Sequence, residues 1–360
     1  MIYLDANATE PLRPCAREAV IAAMDLVGNP SSIHTAGRQA RRVLDAARAQ
    51  IAASLGADAE GLVFTSGGTE ANALAVAGLG RARRILCGAT EHAAVLESAP
   101  GAPRLPVDRA GAIDLGALDS MLAQGGPALV CIMLANNETG VIAPMYDIVR
   151  LCRRHGALLH VDAVQAAGRM AVDLGKLGAD SLAVSGHKLG GPKGAGALLL
   201  ARGRDIAAPL IAGGGQERGR RGGTPSLPAI AGFAAALQEA ACGMPALALL
   251  RDDAEAFAVA AGAIVCGAGP RLPNTTCLAL PGVRSDGQVI ALDLAGIAVS
   301  AGAACSSGKV APSHVLDAMG LPYATCAIRV SLPWNATADD IDVFARAYAA
   351  MAARMRRHAA

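Results

Sequence analysis

From about residue 60 to residue 200, short apolar runs alternate with stretches whose apolar positions recur at helical spacing. The apolar runs cover residues 61–65, 84–87, 128–134, 157–161, 181–184 and 195–200. Such alternation predicts layered α/β structure, and near-continuous apolar strands predict a mainly parallel sheet covered on both faces. Ligands are then expected beyond the carboxyl ends of the strands. Before this region Val43, Ala47, Ile51 and Leu55 recur every four residues among arginines, which predicts an amphipathic helix lying against the sheet. After Gly213-Gly214-Gly215 and the turn Gly222-Gly223-Thr224-Pro225, an alanine-rich helical stretch leads to short strands near 276–280 and 326–331. That succession reads as a second, smaller α+β domain. Residues 339–357 have helical period, with Ile341, Phe344, Ala345 and Tyr348 on one side and arginines near the end, where positive charge meets the negative pole of the helix.

At 360 residues the chain exceeds one ordinary core, and a prior of about 150 residues per domain agrees with two. A formal net charge of +2 is too balanced to argue for a nucleic-acid partner, and 2% aromatic content leaves few platforms for stacked bases. Although 53% of residues are hydrophobic, Arg, Asp or Gly interrupts the alanine-rich segments before about 20 apolar residues accumulate, so no bilayer span is expected. The opening Met1-Ile2-Tyr3-Leu4-Asp5 lacks the basic, apolar and small-residue regions of a secretory signal, and a soluble, cytoplasmic protein is expected. The nine cysteines are odd in number and none forms a CxxC pair, which fits reduced thiols and no stable metal site. Cys87, Cys131, Cys277 and Cys326 lie in apolar runs, where cysteine acts as a small hydrophobe. Cys305 differs: it sits between the small residues 300–304 and Ser306-Ser307-Gly308-Lys309, outside any apolar period.

Candidate chemistry gathers at the strand ends. Ser185-Gly186-His187-Lys188-Leu189-Gly190-Gly191-Pro192-Lys193-Gly194 places Lys188 in a glycine-rich turn after an apolar strand, where an amine can lose its proton and attack an aldehyde. Upstream, Leu158-Leu159-His160-Val161-Asp162-Ala163-Val164-Gln165 puts the Asp162 carboxylate at another strand end, where burial calls for a cationic partner such as a pyridinium nitrogen. Thr65-Ser66-Gly67-Gly68-Thr69-Glu70-Ala71-Asn72 joins a strand to a helix expected over residues 70–79; free N–H groups and the Thr69 hydroxyl favour a phosphate, although the same residues serve as ordinary capping. His92 follows the strand at 84–87 and is either a ring-stacking imidazole or a structural one. Asn136-Asn137-Glu138-Thr139-Gly140 offers amides to a ligand or simply an Asx turn. Together these strand ends suit an anionic, pyridine-like, aldehyde-bearing cofactor.

With these motifs the chain closely resembles the cysteine desulfurases, pyridoxal-phosphate enzymes of the class V aminotransferase group. The resemblance spans nearly the whole sequence. Besides the motifs above it includes Tyr3-Leu4-Asp5-Ala6-Asn7-Ala8-Thr9, Gly28-Asn29-Pro30-Ser31-Ser32, Glu91-His92, Gly214-Gly215-Gln216-Glu217-Arg218, Arg221-Gly222-Gly223-Thr224-Pro225 and Ala303-Ala304-Cys305-Ser306-Ser307-Gly308-Lys309. It departs at Glu10, where the family commonly has threonine, and at Gly68, where alanine is common.

The resemblance implies fold type I of the pyridoxal-phosphate enzymes: a large domain with a mainly parallel seven-stranded sheet, and a smaller α+β domain. The expected division is residues 15–235 for the cofactor-binding domain, with 1–14 and 236–360 forming the small one. By resemblance Lys188 is the Schiff-base lysine, Asp162 pairs with the pyridinium nitrogen, His92 stacks on the ring, and Asn137 and Gln165 bond its polar substituents. Gly68, Thr69, Ser185 and His187 hold the phosphate, joined by Thr224 from the other subunit of a homodimer. Arg329 grips the carboxylate of L-cysteine, assisted by Asn7 and Asn137. Cys305 takes the sulfur as a persulfide, alanine leaves, and an iron–sulfur scaffold or other carrier protein accepts the sulfur; Cys305 is also a candidate for transient cluster contact. Cys305-Ser306-Ser307-Gly308-Lys309-Val310 followed by Ser313-His314-Val315-Leu316 leans toward the desulfurases of nitrogenase maturation. Selenocysteine lyase, another class V aminotransferase and a non-catalytic assembly scaffold are the alternatives.

Overall fold

A computed structural model describes residues 1–240, 245–302 and 311–359. Seven strands form one sheet in the order Leu62–Thr65, Gly196–Leu200, Ser181–Ser185, Leu158–Asp162, Ala128–Met133, Arg84–Gly88, Arg104–Leu105. Each apolar run in the sequence becomes a strand whose ends lie within one residue of those expected. Gly196–Leu200 is antiparallel to both its neighbours, and every other pair in the sheet is parallel. The carboxyl ends of Leu62–Thr65, Arg84–Gly88, Ala128–Met133, Leu158–Asp162 and Ser181–Ser185 therefore emerge along one edge.

All residues of Ala128–Met133, Leu158–Asp162 and Ser181–Ser185 are buried, because both faces of the sheet are covered. Alternate side chains go to opposite faces. Val130 and Ile132 pack with Leu44 and Ile51 of the helix Thr35–Ser54, while Leu129 and Cys131 pack with Leu74 and Leu79 of the helix Gly68–Leu79. Each fully buried Leu, Ile or Val contributes about 1.5–3 kcal/mol. The arginine-rich helix buries Ala40, Leu44, Ala47 and Ile51, with Val43 only half-buried at the margin. Cys87, Cys131, Cys277 and Cys326 are buried among apolar neighbours, as their runs suggest.

The helix expected from residue 70 begins at Gly68. Glu70 causes the difference: its carboxylate reaches back to the Ser66 N–H at 2.7 Å, which caps the first turn earlier. Opposite this turn Gly196 leaves room for the chain, since a Cβ there would lie 2.7 Å from the backbone of Gly67.

A second sheet is antiparallel, in the order Ser300–Ala301, Ala327–Ser331, Thr275–Ala279, Ile264–Val265. Its core joins Leu278, Leu280, Ile328 and Val330 to Ile341, Phe344 and Tyr348 of the helix Ala338–Ala359. Leu4 is buried in the same cluster, and Ile2–Tyr3 pairs in parallel with Ile297–Ala298. The amino-terminal segment thus reaches the large sheet after packing on the small one. Glu10 N–H donates to the carbonyl of His187 and Arg13 N–H to that of Gly190, so residues 5–13 run along the lysine turn.

Candidate active site

At the carboxyl edge of the large sheet lies a cavity of about 520 Å³, within the range of about 300–1,000 Å³ common for small-molecule sites. Asn7, Gly68, Thr69, His92, Asn137, Asp162, Gln165, Ser185, His187, Lys188 and Arg329 all line it. Thr224 is exposed and lies outside that lining. Cys305 falls outside the described residues.

Asp162 closes the floor. Its Oδ2 accepts from Asn72 Nδ2 at 2.6 Å and its Oδ1 from the Val164 N–H at 2.9 Å. Burial pushes this carboxyl up, while the Val164 N–H, the positive fields of His92 and Lys188, and Asn72 oppose that rise. Lys188 Nζ donates to the carbonyls of Asn7 at 2.6 Å and Ala8 at 2.9 Å. His92 caps the short helix Ala93–Leu96, its Nδ1 accepting from the Ala94 N–H at 3.0 Å. Beside it Glu91 is buried, gives Oε1 to the Met133 N–H, and has its carboxyl pushed well above the ordinary range, chiefly by burial.

Capping and ligand-binding residues stand side by side. Asn136 is the turn residue: its Oδ1 accepts from the N–H groups of Glu138 and Thr139, and its Nδ2 donates to the Thr90 carbonyl. Asn137 Oδ1 is buried without a hydrogen-bond partner among the described residues, and so is Ser185 Oγ, close to Gly67 and Gly68. Buried polar atoms left unpaired cost about 1–3 kcal/mol each, which points to a polar ligand that satisfies them. His187 Nδ1 sits 3.1 Å from the Thr9 hydroxyl. Burial first, then the cations Lys188, Lys193 and Arg169, lowers His187 to about 4, so its ring is neutral. When Nδ1 accepts from Thr9, the ring proton sits on Nε2, which can then donate to an anion. These groups fit pyridoxal phosphate: an anion cradle at a helix start, a carboxylate at the far end, and a lysine between.

Arg329 donates Nη1 to the Asn137 carbonyl at 3.1 Å and Nη2 to Asp5 Oδ1 at 2.7 Å, and its buried Nε has no partner among the described residues. Asp5 therefore orients the guanidinium, a role its sequence context did not signal. Asn7 is held by three neighbours: its Nδ2 donates to the Asn137 carbonyl and Thr275 Oγ1, and its Oδ1 accepts from Asn274. Gln165 donates Nε2 to the Asn7 carbonyl and accepts at Oε1 from Arg169. Arg169 in turn meets Glu10 at 3.3 Å, both side chains only 1% exposed. Burial raises Glu10 and lowers Arg169, and their mutual attraction opposes both. The departure at Glu10 thus reaches a lining residue through one arginine.

Sequence reasoning also missed Asn72, His160 and Ser181, which stand behind Asp162. Spacing held the signal: His160 precedes Asp162 by two residues on a strand, and Asn72 follows Thr69 by three on a helix, so each pair shares a face. Past residues 303–310 the chain is tied to the site twice. Ser313 Oγ donates to Glu138 Oε2 at 2.5 Å, and His314 Nε2 lies 3.0 Å from the Glu91 carbonyl.

Known proteins resemble this chain in sequence and in fold. The family model for class-V aminotransferases matches residues 2–344. A cysteine desulfurase of Cereibacter sphaeroides is 42% identical, with 95% of this chain and 93% of that protein covered. An IscS-like cysteine desulfurase of Mycobacterium tuberculosis is 39% identical over 100% of this chain and 98% of its own length. The solved structure of a NifS-like protein from Rickettsia africae superposes with a TM-score of 0.90 at 35% identity, covering 98% of this chain and 99% of the other. This chain belongs to the class-V aminotransferase family.

Proposed function

We propose that this protein is a pyridoxal-phosphate-dependent cysteine desulfurase that moves sulfur from L-cysteine to Cys305 and releases L-alanine. One observation carries the reading: Lys188, Asp162 and the unpartnered Ser185 and Asn137 oxygens converge on a single cavity with Arg329. Relatives of this length and identity that bear the name cysteine desulfurase support it. When bound, the cofactor supplies an aldehyde that captures an amine and a ring that withdraws electrons from the adjoining carbon.

The residues divide the work. Gly68 and Thr69 at the helix start, Ser185 Oγ and neutral His187 would hold the phosphate, Asp162 would hold a proton at the ring nitrogen, and His92 would stack on the ring. Asn137 and Gln165 bond the ring's polar substituents. Arg329, steadied by Asp5 and flanked by Asn7, binds the substrate carboxylate through its planar fork. Lys188 would take the proton from the substrate's α-carbon. The Cys305 thiolate attacks the substrate sulfur, an S–S bond forms as the C–S bond breaks, and the three-carbon product takes up a proton. One cysteine and one thiol thus give one alanine and one persulfide.

The chain acts as a cytoplasmic homodimer, with Thr224 serving the partner's phosphate site. Support comes from the exposure of Thr224 outside its own cavity and from exposed Ile21, Met24, Val27, Ile33, Leu210 and Ile211. No helix among the described residues is long and apolar enough to cross a membrane. The boundary between 1–14 and 15–235 is supported by Leu4, which packs in the small core, and Ala16, which packs in the large one; the boundary at 235–236 is not, since Ala236, Leu237 and Ala240 of the helix Leu227–Ala240 also pack in the large core. An iron–sulfur scaffold is the proposed acceptor, and nitrogenase maturation the proposed use.

Mass spectrometry after L-cysteine addition tests the reading. Cys305 gains one sulfur atom and alanine appears in equal amount; Cys305→Ala keeps the cofactor's colour but forms no persulfide. Normal sulfide output from Cys305→Ala, or transfer of the amino group to an oxo acid, would sink it.

A further inference from the structure

Behind Asp162 runs a line of buried polar side chains that the proposed reaction does not use. Ser181 Oγ lies 2.8 Å from His160 Nδ1, His160 Nε2 lies 2.9 Å from Asn72 Oδ1, and Asn72 Nδ2 lies 2.6 Å from Asp162 Oδ2. Ser181 and His160 are 0% exposed, Asn72 1% and Asp162 3%. His160 and Ser181 face each other in register on adjacent parallel strands, and Asn72 comes down from the helix whose first turn forms the phosphate cradle. Apolar residues would fill this space at lower cost unless the polar groups did something together.

Their donors can be ordered from the chemistry of the carboxylate. An ionised Asp162 only accepts, so Asn72 turns Nδ2 to it and Oδ1 to His160. His160 must then carry its proton on Nε2, and Nδ1 accepts from the Ser181 hydroxyl. Every donor points toward Asp162. The reversed order needs a protonated Asp162, a flipped Asn72 amide and a proton on His160 Nδ1 donated to Ser181. Two features of the site favour the forward order: the Val164 N–H on Oδ1 and the positive field of Lys188 both stabilise the anion. His160 is also held neutral, at about 3, by burial, which keeps one proton on its ring.

We propose that Ser181, His160 and Asn72 form a directional relay that keeps Asp162 ionised and aimed at the ring nitrogen of the bound cofactor, so that this nitrogen stays protonated. They are positioning residues that act through Asp162; of the three only Asn72 reaches the cavity wall, beside Asp162. The proposal rests on the pyridoxal-phosphate reading of the site.

The test loads the full-length protein with pyridoxal phosphate labelled with nitrogen-15 in the ring and reads the nitrogen's chemical shift, alongside cofactor affinity and thermal unfolding. In the wild type the nitrogen is protonated at neutral pH. Asn72→Leu shifts its protonation equilibrium by about tenfold or more, the size expected for losing a charge-assisted hydrogen bond, and His160→Leu, which removes the donor that orients the Asn72 amide, shifts it in the same direction by less. Ser181→Ala, which frees the His160 proton to change sides, produces a smaller shift in the same direction. A merely structural role lowers the unfolding temperature and leaves the chemical shift unchanged in every folded variant, which would overturn the relay. Should the leucine variants fail to fold, Ser181→Ala decides alone: an unchanged shift there refutes the proposal. A wild type that takes up no pyridoxal phosphate refutes the functional reading instead.

Discussion

At the scale of single residues, burial sets the charge state of the site before any ligand arrives. His160 has an ordinary value near 6.5 and is lowered to about 3 by burial. The unfolded chain therefore binds a proton at pH values where the folded chain does not. Stability from this residue is complete above about 6.5 and is lost as pH falls toward about 3. Between about pH 7.5 and about pH 5 the loss comes to about 2 kcal/mol. His187, lowered to about 4, works in the same direction, whereas Glu10, Glu91 and Asp162, all raised by burial, work in the opposite one. Total stability against pH is thus a sum of opposed contributions, and the clean observable is a difference. Urea unfolding of wild type and His160→Gln should show a stability gap that narrows by about 2 kcal/mol from pH 7.5 to pH 5. A gap that does not change with pH would mean that His160 titrates normally in the folded protein. A place in the cavity wall was legible in the sequence where a side chain stands at a strand end, as with Lys188, Asp162 and His92. They were hidden where a side chain acts through another, as with Asp5 behind Arg329 and Arg169 behind Gln165, because spacing reveals a shared face but not the partner from a distant element.

At the scale of elements, the strands were legible to within a residue because an apolar run buried on both sides has sharp polar ends. The reversed direction of Gly196–Leu200 was not, since hydrophobicity carries no sense of direction. Close contacts between elements were equally hidden, and Gly68 is the informative case. A Cβ on Gly68 would lie 2.5 Å from Val164 Cγ2, although its backbone is helical and tolerates a side chain. The family's common alanine here therefore collides with the valine that this chain carries two residues after Asp162. Gly68→Ala gains about 0.4–1 kcal/mol from the unfolded chain but loses about 1–3 kcal/mol to overpacking, so destabilisation wins. Displacing Val164 also disturbs the N–H that anchors Asp162 Oδ1, so cofactor affinity falls with stability. Trimming the neighbour reverses the sign. In a Val164→Ala background, Gly68→Ala should be neutral or stabilising, giving a coupling of about 1 kcal/mol or more in a double-mutant cycle of urea unfolding. Additive effects in that cycle would show that the two side chains do not compete for space.

At the scale of the whole molecule, the loop carrying Thr224 leaves that residue exposed and outside the cavity lining. Glu217 is its anchor: the carboxylate takes Arg48 Nη2 at 2.6 Å and the Phe64 N–H at 2.9 Å, and the Arg48 guanidinium lies 4.6 Å from the Phe64 ring centre. Glu217 and Arg218 adopt φ of 49° and 59°, a left-handed conformation costing about 1–2 kcal/mol per residue, which the buried ion pair holds in place. Further along, Arg221 bonds Glu70 in the first turn of the helix Gly68–Leu79, so the loop is fastened beside the phosphate cradle while Thr224 stays exposed. The sequence offered Thr224 only through resemblance, because nothing in its own spacing says which copy of the chain it serves. Mixed dimers separate the two cases. If Thr224 serves the partner, a subunit with Lys188→Ala joined to a subunit with Thr224→Ala contains one site with both defects and one site with neither. If it serves its own subunit, every site in the mixed dimer carries one defect. Random exchange of equal amounts of the two inactive variants makes about half the dimers mixed, so sharing across the interface restores about a quarter of wild-type activity. Activity no higher than the average of the two parent variants, with subunit exchange confirmed by tagged pull-down, would place Thr224 in its own subunit's site or in none. Recovery to a quarter would mean that the catalytic unit is the dimer, and that the strained loop at Glu217 and Arg218 is the means by which one chain completes the other.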